Sequence, residues 1–264
     1  MKRGLTVLVA VLALTVAGLK LAQNAPAPTR NLEIYWIDAE GGAATLIVAP
    51  SGESMLVDTA NRTPDDRDAK RIFAATQAAG LKKIDILLTT HFHGDHTLGL
   101  PPFVLHRVFV DRRPITFIGP AGVEEYLEKL WEVSWGPDWN RVMRPQFKVK
   151  YVTAKSSGTV AGVRYETVKL DHGTMGSTGY RIHVNGKVVA YSGDTESTAP
   201  LDKLVQGADV AIVEATGPGD VFSHMSWDAA TKLRKRHPDT RFYFNHVYSG
   251  TVTGAVKDLQ VIEV

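Results

Sequence analysis

The segment HFHGDH, which starts at His91, limits the possible folds of this chain more than any other feature. It follows residues 84–90, a continuous apolar run of strand length, so the motif begins where a buried strand ends. Side chains alternate along an extended backbone, which lets His91 and His93 face one metal ion. Asp95 and His96 lie further along the loop and can face a second ion. The spacing therefore predicts a metal site at the end of a strand.

The composition restricts the donors that such a site can use. The 264 residues include no cysteine, which excludes disulfides, thiolate ligands and a cysteine nucleophile. A transition-metal site must then use imidazole and carboxylate donors, which suit zinc and also accommodate iron or manganese. With 44% hydrophobic residues the chain can bury one large core, so we expect one catalytic domain.

The N-terminal residues differ in composition from the rest of the chain. Lys2 and Arg3 precede an apolar run over residues 5–19, and a polar stretch with prolines follows at residues 24–29. This order of charged, apolar and polar residues is typical of a secretory signal peptide. We therefore assign a signal peptide at 1–22, cleaved within 18–27, a linker at 23–31 and a metallo-hydrolase domain at 32–264.

The predicted signal peptide bears on location and charge. Its apolar run of about fifteen residues is shorter than the roughly twenty that a spanning helix needs, so we expect a secreted or periplasmic protein. No stable membrane insertion is expected after signal removal, and an uncleaved N-terminal anchor is the alternative. Loss of residues 1–22 removes Lys2, Arg3 and Lys20 and no acid, so the formal net charge falls from +2 to −1. We therefore expect a small-molecule substrate and no nucleic-acid partner.

The pattern along the rest of the chain predicts an α+β fold with sheets between helical layers. A helix is expected from Asp65 to Gly80, because acidic residues open it and a glycine ends it. Two further helices are expected over 123–130 and 226–236, and Asn185-Gly186 predicts a tight hairpin turn. Strands are expected at 32–37, 45–48, 54–58, 84–90, within 108–117, and at 148–153, 165–170, 179–184, 187–191, 210–214 and 241–245.

Some aromatic residues and histidines outside the motif allow a structural interpretation. Trp131, Trp135 and Trp139 recur at a spacing of four, so they either pack on the core as one helix face or form a hydrophobic wall at the mouth of the site. Three histidines in a loop, a strand and a helix end are interpreted as structural or surface residues: His106, His183 and His237. The loops expected to select the substrate lie at 97–107, 131–147 and 216–224.

The stretch THFHGDHTLGLP around the motif resembles the HxHxDH signature of the metallo-β-lactamase superfamily, and the resemblance extends over nearly all of residues 32–250. It implies a four-layer αββα sandwich. It also implies three further metal ligands at strand ends, and this chain offers one good candidate for each. The candidates are His172 in LDHG, Asp194 in YSGDT and His246 in FNH.

The resemblance implies two Zn²⁺ ions, with iron or manganese as alternatives. The expected ligands are His91, His93 and His172 for the first ion and Asp95, His96 and His246 for the second. Two cations within about 4 Å repel strongly unless an anionic ligand lies between them. Asp194 is expected to be that bridging anion.

Two branches of the superfamily resemble different parts of the chain. Residues 32–91 resemble secreted metallo-hydrolases related to competence proteins, and residues 91–250 resemble the ribonuclease Z and arylsulfatase branch. The second resemblance implies that His224, which opens a helix, stabilises the transition state or protonates a leaving oxygen, with Glu214 orienting it. Ribonuclease Z inserts a tRNA-gripping arm between two strands that residues 185–186 alone connect here, which argues against tRNA processing.

We therefore predict a dinuclear metal-dependent hydrolase that uses a metal-bridging hydroxide on small phosphodiesters or sulfate esters. Asp95, His224 and Glu214 are the predicted catalytic residues. The absence of cysteine and the bridge at Asp194 make a true β-lactamase a second choice. The alternatives are a lactonase or β-lactamase-type hydrolase, or a non-catalytic member of the fold. The last would be expected to have lost ligands, whereas all seven candidates are present.

Overall fold

The computed structural model describes residues 31–39, 43–219, 221–248 and 250–264, and two β-sheets form its centre. The strands are β1 Glu33–Ile37, β2 Ala44–Val48, β3 Ser54–Val57, β4 Ile86–Leu88, β5 Ile115–Gly119, β6 Val149–Thr153, β7 Ser157–Val160, β8 Val163–Leu170, β9 Ser177–Val184, β10 Lys187–Tyr191, β11 Val210–Glu214, β12 Arg241–Asn245 and β13 Val261–Glu263. The first sheet has the order β13-β1-β2-β3-β4-β5-β6. The second sheet has the order β12-β11-β10-β9-β8-β7.

Helices cover the outer faces of both sheets. In the described ranges these are α1 Arg67–Ala78, α2 Gly94–Thr97, α3 Leu100–Phe109, α4 Val123–Trp135, α5 Ala199–Val205 and α6 Trp227–Arg236, with short helical turns at Pro64–Asp66, Trp139–Met143 and Arg144–Gln146. The helix expected before Gly80 is α1, and this glycine adopts a φ of +65°, which ends the helix. None of the helices in this part of the chain is long and apolar enough to cross a membrane.

Three apolar layers hold the sheets and helices together. Trp36, Ile86 and Ile212 are among the side chains that pack between the two sheets. Leu127 of α4 packs on the outer side of the first sheet, and Leu233 of α6 packs on the outer side of the second. A large apolar side chain that is fully buried contributes roughly 1.5–3 kcal/mol. The order helix, sheet, sheet, helix confirms the predicted four-layer αββα sandwich.

The direction of the central strands brings several strand ends to one edge of the sandwich. In the first sheet β3, β4 and β5 pair in parallel, and in the second β10, β11 and β12 do the same. β8 runs in the same direction as β10, because both are antiparallel to β9. The carboxyl ends of strands from both sheets therefore meet at this edge, where the loops that follow them can form a site.

Residues 100–109 correct one prediction, because they form helix α3 where a loop was expected. The pair Pro101-Pro102 occupies the first helical turn, where a missing N–H removes no helical hydrogen bond. Val104 and Val108, four positions apart, are both fully buried against the core. His106 therefore lies on a helix, and of the two strands predicted within 108–117 only β5 is present.

The tryptophans of α4 and the following turn belong to the core, as one of their two interpretations predicted, but they do not form one helix face, because Trp139 lies in the separate turn Trp139–Met143. Trp131 and Trp139 are 0% exposed. Trp131 Nε1 donates a hydrogen bond to the Tyr151 hydroxyl, and Trp139 Nε1 donates one to Glu128, so both buried indoles are satisfied. Trp135 is partly buried against the same core. The alternative of a hydrophobic wall at the mouth of the site is wrong.

The hairpin predicted at Asn185-Gly186 joins β9 directly to β10. Asn185 has a φ of +49° and Gly186 a φ of +75°, which is the left-handed backbone that two-residue hairpin turns require. Val184 and Lys187 are paired on either side of the turn. The predicted signal peptide at 1–22 lies outside the described residues, as does the predicted linker except for its last residue.

Candidate metal centre

The side chains predicted to bind metal converge at the carboxyl edge of the two sheets. They follow β4, β8, β10 and β12 or belong to helix α2, and they are His91, His93, Asp95, His96, His172, Asp194 and His246. Their donor atoms form overlapping groups, and within each group the atoms lie within 4.8 Å of one another. Asp194 belongs to every group.

The first group contains three histidines and Asp194. The Nε2 atoms of His91 and His172 lie 3.1 and 3.0 Å from Nδ1 of His93. The same two Nε2 atoms each lie 3.7 Å from Asp194 Oδ2. Three imidazole nitrogens and one carboxylate oxygen thus surround one small volume, and this donor set suits zinc.

The second group contains two histidines and two carboxylates. His96 Nε2 lies 3.2 Å from Asp194 Oδ2 and 3.7 Å from Asp95 Oδ2. His246 Nε2 lies 3.5 Å from each of these oxygens. Asp95 and His96 are adjacent in the single turn of α2, which directs both at Asp194. The second group therefore carries one more carboxylate than the first.

The surroundings affect the histidines of the two groups in opposite ways. Burial and the neighbouring His96 lower the pKa of His91 to about 2, so its imidazole is neutral and can donate a lone pair. Burial also lowers the pKa of His96, but Asp194 and Asp58 outweigh it and raise that pKa well above the usual value. Burial of Asp194 is outweighed by His96 and His246, which hold the pKa of its carboxyl well below the usual range. Asp194 is therefore ionised.

Asp58 is a site residue that the sequence interpretation missed. It is 1% exposed, it follows β3 directly, and its Oδ2 lies 2.9 Å from His96 Nδ1. The carboxylate also accepts hydrogen bonds from the Thr90 backbone N–H at 2.9 Å and the Thr90 hydroxyl at 2.8 Å. Asp58 thus fixes the ring of His96 with Nε2 directed at Asp194. An acid at the end of a buried strand was the available signal.

The backbone carbonyl of Ser223 orients the ring of His172, as Asp58 orients the ring of His96. His172 Nδ1 lies 2.8 Å from the carbonyl oxygen of Ser223. Ser223 adopts a φ of +63°, which L-residues rarely adopt, and the His224 N–H donates a hydrogen bond to the Val221 carbonyl across the turn at 3.0 Å. One strained turn therefore presents a carbonyl to His172 and the side chain of His224 to the metal centre.

His224 and Glu214 form a third group with Asp194 and His246. His224 Nδ1 lies 2.9 Å from Glu214 Oε2 and 3.8 Å from Asp194 Oδ2. Glu214 is fully buried at the end of β11, and it also accepts hydrogen bonds from the Thr195 backbone N–H and the Thr216 hydroxyl. These contacts hold Glu214 and thereby orient His224. The pairing through Nδ1 leaves Nε2 as the ring nitrogen that can serve a substrate.

Unpaired atoms show that the centre suits a bound cation. In the described part of the chain, Asp194 Oδ1 and His246 Nε2 are buried and have no hydrogen-bond partner. An unpaired buried polar atom costs roughly 1–3 kcal/mol, so such atoms indicate a ligand. An ionised carboxylate and imidazole nitrogens are donors that divalent transition metals prefer. The residues present therefore fit a divalent metal ion.

Comparison with known sequences gives a family and relatives. The family model for the β-lactamase superfamily domain matches residues 55–247, which include every side chain of the centre. Ribonuclease Z from Limosilactobacillus fermentum is 25% identical over 302 residues, which cover 82% of this chain and 95% of that protein. Ribonuclease Z from Lactobacillus gasseri is 26% identical over 240 residues, which cover 68% of this chain and 75% of that protein.

Solved structures share the fold at low sequence identity. The metallo-β-lactamase fold protein YhfI from Bacillus subtilis matches with a TM-score of 0.69 and 16% identity over 89% of this chain and 100% of that chain. The short form of human tRNase Z matches with a TM-score of 0.65 and 19% identity over 88% of this chain and 99% of that chain. At this identity the likeness shows the fold alone. The family match and the shared fold together establish that the chain belongs to the metallo-β-lactamase superfamily of hydrolases, whose fold implies binding of divalent metal.

Proposed function

We propose that this protein is a dinuclear metal-dependent hydrolase of small phosphodiesters or sulfate esters. The observation that carries the proposal is the convergence of two groups of ligand-type side chains on the buried carboxylate of Asp194. Two close cations repel each other, and an anionic ligand that both share offsets this repulsion. The relatives named ribonuclease Z support chemistry on phosphate esters.

Each of the two groups would hold one divalent ion, and zinc is the metal that we propose. The ligands would be His91, His93 and His172 for one ion and Asp95, His96 and His246 for the other, with Asp194 shared. Bound divalent ions would lower the pKa of water and polarise the ester group.

The remaining residues of the centre have their own tasks in this proposal. Asp58 and the Ser223 carbonyl hold two histidine rings in place. Glu214 holds Nδ1 of His224, so that a proton on Nε2 can be passed to the leaving oxygen of the ester. Asp95 has a side chain that is 30% exposed, far more than Asp194, so it is the carboxylate that can accept a hydrogen bond from incoming water.

Metal analysis with a substrate panel tests this function. Zinc-loaded protein would be assayed on bis(p-nitrophenyl) phosphate, p-nitrophenyl sulfate, a lactone and a β-lactam. We expect hydrolysis of the phosphodiester or the sulfate ester, and we expect a chelator to abolish it. A protein that binds less than about one zinc, iron or manganese ion per chain and gains no activity when metal is added would contradict the proposal.

The role of His224 can be separated from metal binding. The variant His224→Ala should lower turnover by about 10²–10⁴-fold, the usual contribution of a general acid, while the metal content stays unchanged. His237→Ala is a matched control, because His237 also pairs with a carboxylate, that of Asp202 at 2.9 Å, but lies outside the centre. Loss of metal from His224→Ala would instead identify His224 as a ligand.

A small ester is a better candidate substrate than tRNA. The two-residue turn between β9 and β10 leaves no room for an arm at that position. The predicted signal peptide, which lies outside the described residues, favours a secreted or periplasmic location. Cleavage of a precursor tRNA at a rate comparable with that of the small diester would contradict this part of the proposal, and fractionation of expressing cells would test the location.

A further inference from the structure

Thr216 lies between two parts of the metal centre, the turn that carries His224 and the loop that carries His246. It is 5% exposed and follows β11 by two residues. Its backbone N–H donates a hydrogen bond to the Met225 carbonyl at 2.9 Å, and its own carbonyl accepts one from the Tyr248 N–H at 3.1 Å. Residues close to both histidines therefore hold the backbone of Thr216 in place.

The side chain of Thr216 connects Glu214 with His246. Its hydroxyl donates a hydrogen bond to Glu214 Oε2, which also lies 2.9 Å from His224 Nδ1. The same hydroxyl oxygen lies 3.3 Å from His246 Nδ1. A threonine hydroxyl has one proton, so an oxygen that donates to a carboxylate can only accept a hydrogen bond from a further neighbour. Nδ1 of His246 therefore carries a proton and donates it to Thr216.

The proton on Nδ1 decides what the other ring nitrogen of His246 can do. A neutral imidazole holds a single N–H, so Nε2 then has a free lone pair. His246 Nε2 lies 3.5 Å from Asp95 Oδ2 and 3.5 Å from Asp194 Oδ2. It has no hydrogen-bond partner among the residues that the structure describes. The lone pair therefore faces the second ligand group, where a divalent ion would bind.

We propose that Thr216 is a positioning residue that sets the tautomer of His246 and links this ligand to the pair formed by Glu214 and His224. The direction of the hydrogen bonds follows from the carboxylate at their end. Glu214 accepts from the hydroxyl, and the hydroxyl accepts from His246. This role rests on the proposed function only because it requires a metal ion at the second group, and it is the same for any ester.

Glu214→Gln tests the proposal by reversing these hydrogen bonds. The amide oxygen should stay at the Oε1 position, because the Thr195 backbone N–H there needs an acceptor. The amide nitrogen then occupies the Oε2 position and donates to the Thr216 hydroxyl, which turns its own proton towards His246 Nδ1. The proton of the ring moves to Nε2, where it prevents ligation. The second ion should bind roughly 10–100-fold more weakly, as measured by competition with a chromophoric chelator.

A double-mutant cycle shows whether Thr216 transmits this effect. Thr216→Val removes the hydroxyl and should weaken binding of the second ion about tenfold, whereas Thr216→Ser should stay within about twofold of the wild type. In the Thr216→Val background, Glu214→Gln should lower the affinity by less than about threefold. Thr240→Val is the matched control, because its buried hydroxyl donates to the Ala208 carbonyl at 2.8 Å just before β12, whereas His246 follows β12. The control should bind both ions as the wild type does.

Nitrogen chemical shifts of isotope-labelled histidine give a readout that needs neither metal nor turnover. In the metal-free full-length protein at alkaline pH, where imidazole is neutral, His246 should carry its proton on Nδ1 in the wild type and on Nε2 in Glu214→Gln. If no metal binds, the proposed function fails, while these spectra still decide the tautomer.

Three results would overturn the role of Thr216. The first is a proton on His246 Nε2 in the wild type. The second is unchanged metal affinity in Glu214→Gln. The third is an equal loss of affinity from Glu214→Gln in the wild-type and Thr216→Val backgrounds, because the effect would then reach the second ion without the hydroxyl.

Discussion

The two ligand groups that share Asp194 differ in how their histidines are held. In the first group a backbone carbonyl, that of Ser223, orients His172 at 2.8 Å. In the second group the carboxylate of Asp58 orients His96 at 2.9 Å, and Asp95 adds a further negative charge. The first group therefore has three histidines around one carboxylate. The second has two histidines and two carboxylates, and the carboxylate of Asp58 lies behind His96.

This difference shows that two sites with similar numbers of ligands need not attract a cation equally. A carboxylate behind an imidazole makes that ligand more basic and fixes its orientation. We therefore expect the second group to bind its ion more tightly, so that a chelator removes the ion of the first group before the ion of the second. Substitutions at Asp194, Asp58 and Ser223 test this expected difference in affinity.

The largest effect is expected from Asp194→Asn, which removes the charge that both groups share. Turnover should fall by roughly 1000-fold or more, because several kcal/mol of charge stabilisation is lost, and both ions should bind more weakly. Metal content per chain and kcat are the measurements. Asp209→Asn serves as control, since Asp209 is a hydrogen-bonded carboxylate at the other end of β10. Retention of both ions by Asp194→Asn would show that the carboxylate is not shared.

Asp58→Asn should produce an intermediate effect confined to the second group. Asn tolerates the φ of +55° at this position, so the fold should persist. The ion of the second group should bind roughly 10–100-fold more weakly, as measured by competition with a chromophoric chelator. The control is Asp85→Asn, because Asp85 accepts a hydrogen bond from the Ser54 N–H at the other end of β3. Equal weakening of both ions would remove the distinction between the groups.

Ser223→Gly should have the smallest effect. The carbonyl that orients His172 remains, the buried hydroxyl of Ser223 has no hydrogen-bond partner, and glycine accepts a φ of +63° readily. Metal affinity should stay within about twofold, and the free energy of unfolding should change by less than about 1 kcal/mol. Titration with zinc and chemical denaturation would measure both. A tenfold loss of affinity in the first group would mean that the hydroxyl contributes to the site.

The ligand candidates were predicted from the sequence, but the groups that orient their rings were not. Each candidate ligand is a histidine or aspartate at a strand end or in the HFHGDH segment, so local sequence and the resemblance to a family are enough to find it. Asp58 acts on His96 across 38 positions, and nothing near Asp58 in the sequence shows that relation. The carbonyl of Ser223 belongs to the backbone, which has no residue-specific signature at all.

Elements with a strong periodicity of apolar residues were predicted near their observed positions. Elements whose formation depends on tertiary contacts were not predicted. The strands of the second sheet between β8 and β12 appear close to their expected positions. β13, which is only Val261–Glu263, was not predicted, because three residues carry little pattern and its pairing with β1 defines it. Helix α5 at Ala199–Val205 was missed for a similar reason, since it is short and packs Leu204 against the second sheet.

The turn at Asn185-Gly186 makes the substrate range of this scaffold open to redesign. The turn joins the end of β9 to the start of β10. The five residues of β10, about 17 Å of strand, separate the turn from the edge that carries the metal centre. A segment grafted at this turn would leave the pairing of Val184 with Lys187 and every ligand in place. A segment that recognises a larger molecule could therefore be added at this turn, or removed from it again, without a change at the metal centre.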